Sequence, residues 1–179
     1  MGRAPRRRRG WRLQRLGAAD LLLAACLLVA CAAGLAMLPG DERGDELRGR
    51  ARAVDGDSIR IDGRDIRLAG IDAPELRQTC ERAGRSWSCG EAARSALAVR
   101  LGRGETTCRL RGVDVYGRAL AVCFAGGEEL NAALVREGLA IGYGGYQREE
   151  AEARAARRGV WAGDFMTPRE WRRLHPRRP

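Results

Sequence analysis

Apolar and polar residues alternate from Asp57 to Ile61, which puts Ile59 and Ile61 on one face of a strand. Asp62-Gly63-Arg64-Asp65 is a hairpin turn signal. Ile66 and Leu68 carry the returning strand and leave Arg67 on the opposite face. The period then lengthens: Ala93, Leu97 and Leu101 recur at helical spacing within Gly90–Leu101, and Gly102 stops that helix. Cys108 to Phe124 reads as a second hairpin around Asp114-Val115-Tyr116-Gly117, and folding it back sets 113 opposite 118 and 108 opposite 123. Two further helices are predicted, Glu128–Glu137 closed by Gly138 and Gln147–Arg158 closed by Gly159. Strands and helices are segregated, which predicts an α+β domain rather than a doubly wound sheet.

Several short strands with few helices suit a small five-stranded OB-type β-barrel with about three α-helices, preceded by an N-terminal hydrophobic leader helix. The leader is Leu21 to Leu38, 18 residues without a charge, and Pro39-Gly40 closes it. The pattern divides the chain into a basic arm (1–19), a signal anchor or signal peptide (20–38), a charged linker (39–50), the folded domain (51–163) and an Arg/Pro-rich tail (164–179). The arm would stay cytoplasmic and the domain would be exported. Gly34-Leu35-Ala36 offers a cleavage site and Leu28-Val29-Ala30-Cys31 resembles a lipobox, so cleavage and lipidation stand beside a retained anchor. The expected location is the bacterial cell envelope: anchored in the inner membrane through the leader and facing the periplasm or exterior, or secreted if the leader is cut.

Composition narrows the chemistry. All 33 basic residues are Arg, against 23 acidic ones, so lysine Schiff bases and a P-loop lysine are excluded. The single His, His175, lies near the C-terminus, which disfavours Ser-His-Asp and Cys-His mechanisms and His-ligated metals. The net charge of +10 is concentrated in the arm, where the first 19 residues hold seven Arg and no acid. Basicity alone is therefore a weak argument for nucleic acid. Of the six cysteines, Cys26 and Cys31 sit in the leader, and no Cys-x-x-Cys pair suggests zinc. The four in the domain fit two disulfides in an oxidising compartment. The hairpin register joins Cys108 to Cys123 and leaves Cys80 with Cys89.

The acids and turns are densest at Val54-Asp55-Gly56-Asp57-Ser58 and at Arg67-Leu68-Ala69-Gly70-Ile71-Asp72-Ala73-Pro74-Glu75. Two Asp carboxylates at strand–loop junctions can converge on one point, and like charges held close need a cation. Hard carboxylate oxygens choose Ca²⁺ or Mg²⁺. An EF-hand fails, because Ile59 and Arg60 occupy its fifth and sixth positions. Arg67, with Arg118 at the second hairpin tip, could hold one phosphodiester through planar forks. With a metal to polarise phosphoryl oxygen and Glu75 as a base, these residues suit phosphodiester hydrolysis.

These segments, together with Asp114-Val115-Tyr116-Gly117-Arg118 and Leu134-Val135-Arg136-Glu137-Gly138-Leu139-Ala140, resemble the thermonuclease family of staphylococcal-nuclease-like OB-fold nucleases. The resemblance covers about Ala51 to Trp161. It implies Ca²⁺, ahead of Mg²⁺, bound by Asp57, Asp72 and the carbonyl of Ala73 with Asp55 close by. It implies Glu75 as general base or water-positioning group, Arg67 and Arg118 on the scissile phosphate, and Tyr116 on the substrate. The expected activity is a divalent-metal-dependent endonuclease acting on DNA and/or RNA as a monomer, leaving a 3′-phosphate. Val115 departs from the basic residue often found there, and Tyr143 and Tyr146 cannot be aligned one to one; both are candidates for base stacking or for packing. Arg172, Arg173, Arg177 and Arg178 in the tail read as unstructured and solvated, ahead of a contact with nucleic acid or anionic lipid. The competing functions are a non-catalytic nucleic-acid-binding OB module and a membrane-tethered interaction domain.

Overall fold

A computed structural model describes residue 27 and residues 46–176. The arm, nearly all of the leader, most of the linker and the last three residues lie outside that range, and so do Cys26 and Cys31. The first strands are β1 (Glu46–Gly49), β2 (Ala51–Ala53), β3 (Ser58–Ile61), β4 (Arg64–Leu68) and β5 (Ile71–Asp72). A small hairpin, β6 (Cys80–Arg82) and β7 (Arg85–Trp87), precedes helix α1 (Cys89–Leu101). Then come β8 (Thr106–Val113), β9 (Ala119–Ala125), β10 (Glu128–Glu129), α2 (Leu130–Arg136), β11 (Ile141–Gly142), α3 (Gln147–Ala155), a 3₁₀ turn (Gly159–Ala162) and α4 (Pro168–Leu174).

The main sheet runs β1-β8-β9-β4-β3-β2, with β10 on β9. Only Arg50 separates β1 from β2, so one bent strand pairs with β8 at one end and β3 at the other. That bend closes the sheet into a barrel of five strands, and closure removes the exposed edges an open sheet would leave. Alternation works as the sequence predicts: Ile59, Ile61, Ile66 and Leu68 are buried in the barrel core. Ala121, Cys123 and Ala125 face the same core from β9, while Leu130 and Leu134 of α2 pack in from outside the strands. Each fully buried Ile or Leu contributes roughly 2 kcal/mol of transfer free energy.

The structure moves several expected boundaries. β1 falls inside the stretch assigned to the linker: Leu47 packs against the core while its charged neighbours face out, a pattern too short to stand apart from a charged connection. In the second hairpin Cys108 does face Cys123, but Val113 faces Ala119 rather than residue 118. The reason is a bulge between Leu110 and Gly112 that inserts Arg111 and shifts the outer half by one position. Gly112 takes φ +133°, which favours glycine. The second helix begins at Leu130 because Glu128 and Glu129 pair with β9, and the third ends at Ala155. A fourth helix, α4, occupies the tail. Both expected disulfides form, Cys80–Cys89 and Cys108–Cys123. Among the described residues no helix is long and apolar enough to cross a membrane.

Candidate active site

Asp57 closes the turn that leads into β3. Its N–H donates to Asp55 Oδ1 at 3.1 Å, and Val54 N–H donates to the Ser58 carbonyl at 2.8 Å. Asp55 therefore fixes the turn from one side while its charge stays near Asp57. The turn sits tightly on its neighbours: a Cβ on Gly56 would come within 2.7 Å of Ala73 Cβ and 2.8 Å of Ala93 Cβ. Only glycine lets the loop carrying Asp57 lie against the loop carrying Asp72. Ala73 N–H completes the contact by donating to Asp57 Oδ2 at 2.9 Å.

Arg67 joins the two acids. Its Nη1 donates to Asp57 Oδ1 and its Nη2 to Asp72 Oδ1, each at 2.8 Å. Both carboxylates are buried, and Arg67 itself is only 19% exposed. Burial pushes the Asp57 carboxyl above the usual carboxylate range; Arg67 pulls it down, and Asp55 and Asp72 push it further up. Burial lowers the affinity of Arg67 for its proton, but Asp57 and Asp72 more than restore it. Glu75 lies three residues beyond Asp72, on a loop held by Gln78. The Gln78 side-chain oxygen accepts from Glu75 N–H at 3.1 Å, and its amide nitrogen donates to the Met166 carbonyl at 2.6 Å.

The other expected residues stand at the tip of the second hairpin and on the loop that follows β11. Arg118 is held at the hairpin tip, where its Nε donates to Asp114 Oδ2 at 2.7 Å and its guanidinium lies 5.7 Å from the Tyr116 ring centre. It immediately precedes β9 and stands two residues before Leu120, the parallel partner of Arg67. Tyr116 is 82% exposed and Tyr143 64% exposed. β11 pairs with β5, setting Ile141 opposite Asp72, and Tyr143 N–H donates to the Gly70 carbonyl at 2.8 Å. Tyr143 is thereby placed beside the strand that carries Asp72. Tyr146 takes the packing alternative: its ring meets the core and its hydroxyl donates to Glu129 at 2.7 Å.

One residue at this centre was not expected there. Arg172 of α4 donates from Nη1 to Asp72 Oδ1 and Glu75 Oε1 and from Nη2 to Asp72 Oδ2, all at 3.0 Å. The reading of Arg172 as a solvated tail residue is corrected: α4 brings it onto Asp72 from 100 positions away and onto Glu75 from 97. The signal for α4 was present. Thr167 and Glu170 form a capping box, and Pro168 stands at the first helical turn.

The expected divalent cation can be tested against these donors. Asp57 and Asp72 are oxygen donors brought to one guanidinium, and the Ala73 peptide adjoins them. Among the described residues no three His, Cys, Asp or Glu side chains are spaced to hold an ion together. The two carboxylates fit a hard cation, which takes roughly six to eight oxygens. Four acids, Asp55, Asp57, Asp72 and Glu75, stand here against Arg67 and Arg172, so the site carries a negative excess.

Known proteins resemble this chain over most of its length. Residues 65–163 match the family described as staphylococcal nuclease homologue; Asp55 and Asp57 lie just before the match. The chain is 33% identical over 173 residues to a micrococcal nuclease of Shigella flexneri, covering 84% of this chain and 94% of that one. It is 32% identical over 155 residues to the succinoglycan biosynthesis protein ExoI of Rhizobium meliloti, covering 82% and 79%. It is 33% identical over 170 residues to Protein ParB of Escherichia coli, covering 82% and 91%. On the strength of the matched region and of these relatives, the chain belongs to the staphylococcal nuclease homologue family.

Proposed function

We propose that this nuclease is a Ca²⁺-dependent endonuclease that hydrolyses phosphodiester bonds of DNA and/or RNA and leaves a 3′-phosphate. The observation that carries the reading is the fork of Arg67 between Asp57 and Asp72, with Glu75 tied to Asp72 through Arg172. Asp57, Asp72 and the Ala73 carbonyl would hold the cation. When bound, the cation supplies charge to polarise a phosphoryl oxygen.

The chain's own residues do the remainder. Arg67 presents a planar donor pair to the non-bridging phosphate oxygens once part of its hold on the acids is given up. Arg118, released from Asp114, adds a second fork from the neighbouring strand, and both offset the charge that builds on phosphorus. Glu75 orients a water and takes its proton as the oxygen attacks. The P–O5′ bond breaks and the departing 5′-oxygen takes a proton from solvent. Exposed Tyr116 and Tyr143 offer faces for bases, since stacking is sequence-tolerant.

Export to the cell envelope belongs to the same proposal. It is supported by the uncharged run from Leu21 to Leu38 behind an Arg-rich arm, and by two disulfides that suit an oxidising compartment. The test is an activity gel on DNA and on RNA with the oxidised full chain, run with Ca²⁺ and with EGTA. Cleavage in Ca²⁺ that disappears in EGTA is expected. Cleavage that survives chelation rejects the metal assignment, and no cleavage in Ca²⁺ favours a binding module.

A further inference from the structure

The hold of Arg172 on the acids has a consequence for metal entry, and it rests on the divalent-cation reading above. Every carboxylate oxygen of Asp57 and Asp72 already accepts a hydrogen bond. Asp57 receives Arg67 and Ser58 on Oδ1 and Ala73 N–H on Oδ2. Asp72 receives Arg67 and Arg172 on Oδ1 and Arg172 alone on Oδ2. Arg172 also holds Glu75. A single side chain from outside the barrel thus occupies both an expected cation ligand and the expected base. Its hydrogen bond to Asp72 holds it charged more firmly than an ordinary arginine.

The helix that delivers Arg172 is short, and most of its residues are exposed. α4 has seven residues, and the segment leading into it is tied by the Gln78 amide donating to the Met166 carbonyl and by Glu81 N–H donating to the Asp164 carbonyl at 2.8 Å. An open cavity of about 510 Å³ lies between it and β6, lined by Cys80, Phe165, Met166, Trp171 and Leu174. The Arg172 side chain is 42% exposed, against 19% for Arg67. We propose that α4 is a latch: Arg172 closes the site by occupying Asp72 and Glu75, and an entering divalent cation displaces it. A doubly charged ion there replaces a singly charged guanidinium on the same oxygens, so the two ligands exclude each other. The released arginine also gives up its hydrogen bond to Glu75.

Calorimetric titration of Ca²⁺ into the oxidised full chain tests the latch without using turnover. Arg172→Gln removes the competing cation and should tighten Ca²⁺ binding by about tenfold. Thr167→Ala leaves every side chain of the acid cluster in place while loosening the helix cap, and should tighten binding in the same direction by less. As a second readout, trypsin should cut after Arg172 in the wild-type chain faster in Ca²⁺ than in EGTA, as followed by mass spectrometry. If the wild type binds Ca²⁺ and neither variant binds more tightly, the latch is overturned and the metal reading stands. If neither the wild type nor Arg172→Gln binds Ca²⁺ or Mg²⁺, both are overturned.

Discussion

Two arginines grip Asp72, and they come from regions built in different ways. Arg67 belongs to β4, which is paired with β3 on one side and β9 on the other, so ladder hydrogen bonds fix its backbone. Its guanidinium meets two buried carboxylates. Arg172 is more exposed and stands on a short helix outside the barrel, a helix whose Trp171 and Leu174 line an open cavity. The same carboxylate is thus held once by architecture and once by an appendage. The barrel contact preorganises the acids, and the helix contact is one that can be broken.

The largest effect should come from the barrel side. Arg67→Ala leaves Asp57 and Asp72 buried without their shared partner, so it should cost about 3 kcal/mol of stability and lower turnover on DNA about thousandfold. Arg172→Gln should change melting by less than about 1 kcal/mol, because its pair is partly screened by water. Equal losses in the two variants, measured by denaturant melts, would erase the distinction between them. Arg118→Ala comes next. Turnover should fall about a hundredfold with stability within roughly 0.5 kcal/mol of wild type. Retained turnover with a large loss of melting temperature would make Arg118 a hairpin brace and nothing more.

The disulfides sharpen the comparison. Cys108–Cys123 lies in the barrel core, so replacing both residues by Ala should destabilise the domain by about 3 kcal/mol. Cys80–Cys89 belongs to the smaller cluster with Val160, Trp161 and Phe165, and replacing it should chiefly loosen the side that carries α4. Limited proteolysis should show that difference in place; cleavage spread evenly over both regions would contradict it. The smallest effect is Thr167→Ala, which removes a helix cap worth about 1 kcal/mol locally and should leave the global melt nearly unchanged.

The parts that could be read from the sequence are those with a local rule. Ile59, Ile61, Ile66 and Leu68 alternate, so the β3–β4 hairpin and the outward face of Arg67 follow from the two-residue period. The Cys108–Cys123 pairing follows from the hairpin register close to the base strands, but the bulge at Arg111 is invisible because nothing in Leu110-Arg111-Gly112 demands the extra residue there. β1 was hidden because only Leu47 turns inward among charged neighbours. α4 carried a capping signal, yet the acids that Arg172 meets are 97 and 100 residues away, and no local pattern encodes that meeting. Gln78 is similar: it is fully buried and ties Glu75 to Met166, but a glutamine in a loop announces nothing in one dimension.

The central claim is that Asp57, held against Asp72 by Arg67, is a carboxylate the reaction needs. It is tested most directly by the turnover of Asp57→Asn on a defined DNA substrate in saturating Ca²⁺, alongside its melting curve. The amide keeps the shape of the side chain and loses the charge. Turnover should fall at least about thousandfold while the variant still melts cooperatively. Turnover above about a tenth of wild type would show that the acid pair is not the seat of catalysis.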